Sequence, residues 1–244
     1  MTVRPFGFVV PVVFAVVIAL AIAPAPVAAQ ARPASANIPD LTGLWEVGGG
    51  SANIVQFLKA RGQEMPFTPY AAERYKNVDY SKNPNGFCLP PGPSRALTGG
   101  SLFFVVQHGQ AISMLVENHN VFRVIYLDGR SHPEDIAEYP TFMGHSTGKW
   151  EGDTLVVDTV GLNDRTWLDS NGLEHSEKIH LTERLQKVSP DLIKYNVTYD
   201  DPVFFTRPWT LNLDIKKVTN TRLIEYVCLD NEKDRQNLVP TPRQ

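Results

Sequence analysis

From Leu102 onward, hydrophobic positions fall into short runs separated by polar turns. LFFVVQH, AISMLVEN and VFRVIYL, starting at Leu102, Ala111 and Val121, are rich in β-branched and aromatic residues, the composition of strands. The third run closes at Asp128-Gly129, a strong turn signal. His145 to Trp150 reads as a strand, Glu151-Gly152-Asp153 as a tight turn, and Thr154 to Val160 as the return strand. IHLTERLQKV, LIKYNVTYD, WTLNLDIKKV and RLIEYVCLD continue the series, with turns at Ser189-Pro190-Asp191 and Thr219-Asn220. Short strands at regular spacing predict an all-β fold, an antiparallel β-barrel or alternatively a β-sandwich. Order is expected to begin at LTGLWEV, Leu41 to Val47, and the next part, to about Arg95, is loop-rich. It holds one helix candidate, YAAERYK, with Thr68 as N-cap and Pro69 in the first helical position. Asp79 to Arg95 is a run of turn formers.

The first residues follow a different pattern. Arg4 precedes an almost wholly apolar run, Phe6 to Ala23, and Val27 and Ala29 stand at the −3 and −1 positions of a small-residue cleavage site. That is the pattern of a secretory signal peptide over 1–29; a retained membrane anchor is the alternative. Pro/Ala-rich 30–40 reads as a flexible tether, and 41–235 as a single β-barrel domain. Of the 244 residues, removal of 29 leaves 215, enough for a proper core without staples.

Export makes the location periplasmic or secreted and changes how the two cysteines read. In an oxidising compartment Cys88 and Cys228 are expected to pair; neither has an obvious adjacent base that would make it a nucleophile. Net charge is −3 with no basic block, so no nucleic-acid partner is expected. No later segment is long enough to span a bilayer, so no membrane contact is expected after cleavage.

Candidate chemistry gathers around the Glu151–Asp153 turn. Asp158 lies on a strand with two fairly apolar faces, so its carboxylate needs a partner. If the hairpin forms, His145 returns to the end of the fold where Gly161, Asn163 and Asp164 begin a polar loop. An imidazole tuned by Asp164 or Asp158 suits acid–base chemistry. Arg130 and His132, on the preceding loop, are placed to meet a developing negative charge. Tyr126, Asn163, Trp167 and Trp209 are the expected substrate contacts, the last beside Phe204 and Phe205 as an aromatic lid. His175 and His180 are five apart and His132 and His145 thirteen apart, which matches no standard metal spacing, so no metal is expected; His180 is expected on a solvated strand face. No phosphate loop, dinucleotide fingerprint or G-x-S-x-G elbow is present, so no cofactor is expected.

Two resemblances bear on this. Gly43-Leu44-Trp45 resembles the Gly-x-Trp start of lipocalin-type barrels and favours barrel over sandwich. PTFMGHSTGKWEGDTLVVDTVGLNDRTW, with LTGLW near the start, TYDDPVFFTRPWT and EYVC, resembles a large family of exported bacterial proteins with an MGHSxGxWEGDTLVVDTxGxND signature. It implies an exported β-barrel and no particular activity. The residues themselves suggest a periplasmic, cofactor-independent lyase, dehydratase or isomerase acting on a small apolar or aromatic molecule. A lipocalin-like carrier of a hydrophobic molecule is the main alternative, and a structural envelope protein a third.

Overall fold

A computed structural model describes residues 38–48 and 52–228. The expected signal peptide and nearly all of the tether lie outside the described residues. Nine strands form a closed barrel in which each strand pairs with its neighbour in sequence and the last pairs with the first. They are β1 (Gly43–Gly48), β2 (Phe103–His108), β3 (Ala111–Val116), β4 (Val121–Tyr126), β5 (His145–Glu151), β6 (Thr154–Val160), β7 (His180–Ser189), β8 (Leu192–Asp200) and β9 (Trp209–Lys217). Between β1 and β2 lie three short helices, α1 (Ile54–Lys59), α2 (Pro69–Lys76) and α3 (Gly92–Thr98). Thr68 caps α2 as its sequence predicts, its hydroxyl accepting from the Ala71 N–H. The run of turn formers before α3 contains two 3-10 turns, Tyr80–Lys82 and Pro84–Phe87.

The barrel is closed, which rules out the sandwich, but it is not wholly antiparallel. β4 and β5 run parallel, matched only at Ile125↔Ser146 and Tyr126↔Thr147. Parallel neighbours need a crossover, and residues 127–144 supply it. The seam between β4 and β5 is therefore short, and Val121 to Val124 have no strand opposite them on that side.

RLIEYVCLD is not a strand within the described residues. With β9 hydrogen-bonded to β1, no edge is left beside β9 for a following strand to join. Instead the segment lies against the β3–β4 connection. The Ile224 N–H donates to the Glu117 carboxylate, and Asn120 bonds the backbone of Tyr226. Cys88 and Cys228 form a disulfide with Cα atoms 5.8 Å apart. It ties the segment after the last strand to the turn before α3.

Alternation decides what the barrel holds. Trp45, Phe103, Ile112, Leu155, Val157, Leu181, Val197, Leu211 and Ile215 are buried in the core. Trp45 donates its indole N–H to the Leu41 carbonyl at 2.8 Å. A charged pair shares this interior. Arg123 of β4 and Glu183 of β7 form an ion pair with side chains only 4% and 2% exposed. Ser146 and Thr159 accept from the guanidinium, and the Tyr195 hydroxyl donates to Glu183.

Candidate functional site

The expected hairpin forms, and its register builds the site. His145 pairs with Val160, Thr147 with Asp158, and Asp158 with Thr182. The buried Ser146, Val157, Thr159 and Leu181 point into the barrel. His145, Asp158 and His180 therefore share its outer wall on three adjacent strands. The crossover demanded by the parallel seam brings His132 among them.

Asp158 accepts from both neighbours. His132 Nε2 lies 2.9 Å from one oxygen, and His180 Nε2 bonds the other. His132 Nδ1 lies 2.8 Å from His145 Nδ1. When His132 is neutral, these contacts determine the tautomers. An ionised carboxylate only accepts, so His132 must hold its proton on Nε2. Its Nδ1 is then an acceptor, and His145 must donate from its own Nδ1. That leaves a bare lone pair on His145 Nε2, the atom a general base needs.

The electrostatics agree with this chain. Burial, then His132 and Arg130, lower the pKa of His145 from 6.5 and keep it neutral. Burial alone would raise Asp158; hydrogen bonds from His180 and His132 outweigh it and hold the carboxyl below 3.8. Asp158 is 42% exposed on its side chain, so solvent screens part of that attraction.

His145 also borders a cleft of about 460 Å³ opened by the β4/β5 seam. Its walls include Phe122, Tyr126, Phe142 and Met143, and Arg123 and Ser146 also line it. The imidazole of His145 stacks on Tyr126 with ring centres 5.3 Å apart. Gly144, immediately before His145, has φ +64°, and a Cβ there would stand 2.7 Å from the Val160 carbonyl oxygen. Only glycine gives this approach, which fixes where β5 begins.

Of the residues expected to make a site, His132, His145, Asp158 and Tyr126 come together. Arg130 is close, its guanidinium 3.9 Å from the Tyr126 ring centre. However, it is exposed and paired with Asp128, so its charge is already compensated. Asp164 does not partner His145. With Trp167 it lines a separate polar cleft of about 520 Å³ that also includes Arg74, Arg165 and Glu174. Asn163 is a structural pin: it is buried, its N–H donates to the Thr141 carbonyl and its side chain accepts from the Arg165 N–H. Trp209 is a core residue, stacked on Tyr199 with centres 4.2 Å apart, and Phe204 and Phe205 are buried with it. The aromatic lid is thus part of the barrel filling, because the odd-numbered positions of β9 face inward.

Sequence reasoning missed His180 as a partner, although the signal was present. Once β6 and β7 pair, His180 falls on the same face as Asp158, two positions from its direct opposite, Thr182. Arg123 gave no signal at all, since an arginine in a strand reads as an outward residue. Among the described residues no group of His, Cys, Asp and Glu is arranged to hold a metal ion. The imidazole nitrogens meet carboxylate oxygens or each other rather than converging on one point. Also among the described residues, no helix is long and apolar enough to cross a membrane. No protein-family model matches the chain, and a search of curated proteins finds no relative.

Proposed function

We propose that this protein is an exported acid–base catalyst that transfers a proton on a small apolar or aromatic molecule held in the β4/β5 cleft. The step belongs to a lyase, dehydratase or isomerase class of reaction. One observation carries the reading: His145, on the cleft wall, leads through His132 to Asp158 by two hydrogen bonds of 2.8 and 2.9 Å. In the forward step His145 Nε2 takes the proton from the bound molecule. Its Nδ1 proton shifts toward His132, and Asp158 stabilises the imidazolium that results. In the return step the proton goes back to a different atom or to a leaving group. Export is supported by the disulfide, a bond of oxidising compartments, and by the leader-like start of the sequence.

The test is proton exchange, which needs no knowledge of the product. The protein is incubated in D2O with a panel of uncharged aromatic and apolar compounds bearing weakly acidic C–H groups, and deuterium incorporation is followed by mass spectrometry. At least one compound should exchange faster than with buffer alone. His145→Ala should abolish the acceleration and leave the unfolding temperature nearly unchanged. His132→Asn should reduce it by about 10²–10⁴-fold, the usual worth of a positioned base. Exchange that persists in His145→Ala would refute the assignment. Saturable binding with no exchange anywhere would make the cleft a carrier site, the reading its apolar walls would serve alone.

A further inference from the structure

Among the described residues, the charged groups lining the β4/β5 cleft or lying next to it already have partners within the protein. Arg123 is matched by Glu183, with Nη1 2.9 Å from one carboxylate oxygen. Arg130, over the Tyr126 ring, is matched by Asp128. Asp158 has one oxygen on His132 and the other on His180. His145 is neutral, for the reasons of burial and neighbouring charge given above. Among the described residues, a carboxylate entering this cleft would meet no free cation and would approach Glu183 behind Arg123. An ammonium would meet no carboxylate there without a partner. Either ion would lose its water without replacement, which disfavours it strongly.

The walls add shape. Phe122 is 68% exposed, an aromatic the core does not use, and it borders the cleft with Phe142 and Met143. Aromatic rings and a thioether favour a flat ring. The lone pair of His145 Nε2 has no partner among the described residues and accepts a proton donor, with the Tyr126 and Thr141 hydroxyls also on the cleft wall. A hydroxyl on an aromatic ring is weakly acidic, near the tyrosine value of about 10, so it is neutral when it enters and can share its proton with an imidazole.

We propose that the cleft selects an uncharged phenol, its ring against Phe122 and Phe142 and its O–H donated to His145 Nε2. The proposal rests on the acid–base reading of His145 and adds the substrate class.

Phenol, benzoate, benzylamine and toluene serve as probes of one ring size. Each is titrated into the intact protein and followed by chemical-shift changes of the cleft residues. Phenol should saturate with an affinity at least about tenfold above benzoate and benzylamine. His145→Ala should weaken phenol by about tenfold, the effect of losing one hydrogen-bond partner, and leave toluene unchanged. His145→Phe, which keeps a ring stacked on Tyr126, should do the same. Benzoate or benzylamine binding as tightly as phenol would overturn the proposal. So would the absence of saturable phenol binding, or equal losses of phenol and toluene in both variants. Selective phenol binding without deuterium exchange on any compound sinks the catalytic reading and supports this one. With charged aromatic compounds bearing weakly acidic C–H groups added to the exchange panel, exchange confined to those charged compounds does the reverse.

Discussion

Glu183→Gln should cost the fold about 3–5 kcal/mol, because it leaves the Arg123 guanidinium buried without its counter-charge. The substitution changes volume little, so packing contributes little to the loss. Three contacts decide the magnitude. Arg123 Nη1 and Nη2 both donate to the carboxylate, and Tyr195 donates to it at 2.8 Å. Gln can accept on its oxygen, but its NH2 group would face an Arg123 N–H that cannot accept, and only by turning could the Tyr195 or Thr159 hydroxyl accept from it. For a domain of this size each kcal/mol moves the unfolding temperature by about 2–4 °C, so the expected drop is about 6–20 °C. Urea unfolding with the disulfide intact, at constant slope, measures it directly. The companion is Arg123→Met/Glu183→Leu/Tyr195→Phe, which removes both charges and the hydroxyl that depends on them. It should lie well above Glu183→Gln, since apolar groups of similar size commonly replace a buried ion pair at little cost. A loss below about 1 kcal/mol for Glu183→Gln, or a triple variant less stable than it, would refute this account.

Three further outcomes are expected. Gly144→Ala should destabilise by about 2–3 kcal/mol, from the positive φ and the contact with the Val160 carbonyl. It should also lower exchange activity per folded molecule by displacing His145, and unaltered activity would count against the cleft geometry. The disulfide closes a loop spanning a sequence separation of 140 residues, so replacing both cysteines by serine should cost about 5 kcal/mol at most on the chain-entropy model; a change under about 1 kcal/mol in urea unfolding would contradict it. Burial lowers the pKa values of His119, His145 and His175 from 6.5. Above 6.5 their contribution is fully present. As pH falls from there through their folded values the unfolded chain binds more protons and stability drops. Urea midpoints that rise on acidification through that window would show the sign to be wrong.

Much of the fold was legible locally. Alternation and turn residues mark eight of the nine paired strands from β2 onward and the β5–β6 hairpin, because a half-buried strand must change face at each residue. Thr68-Pro69 marks the start of α2 because capping and a fixed φ are local properties. Two elements were not legible. RLIEYVCLD has strand composition but is not a strand within the described residues, since β9 closes on β1 and leaves no edge beside it for the next segment. Trp209, Phe204 and Phe205 looked like a lid, yet an aromatic residue in the core and one at a pocket mouth have the same local pattern.

The site divides in the same way. The sequence by itself determined that His145 and Asp158 lie on paired strands, since the Glu151–Asp153 turn sets that register. It also made the Cys88–Cys228 pairing the natural expectation for an exported chain. Only the tertiary structure decided that β4 and β5 run parallel. From that follow the crossover that lays His132 between His145 and Asp158, the cleft beside them, and the separation of Asp164 and Trp167 into another cleft. The β6–β7 register, set across a long loop, added His180. Turn geometry acts over a few residues and can be read from composition, whereas the direction of a neighbouring strand depends on how the whole barrel closes.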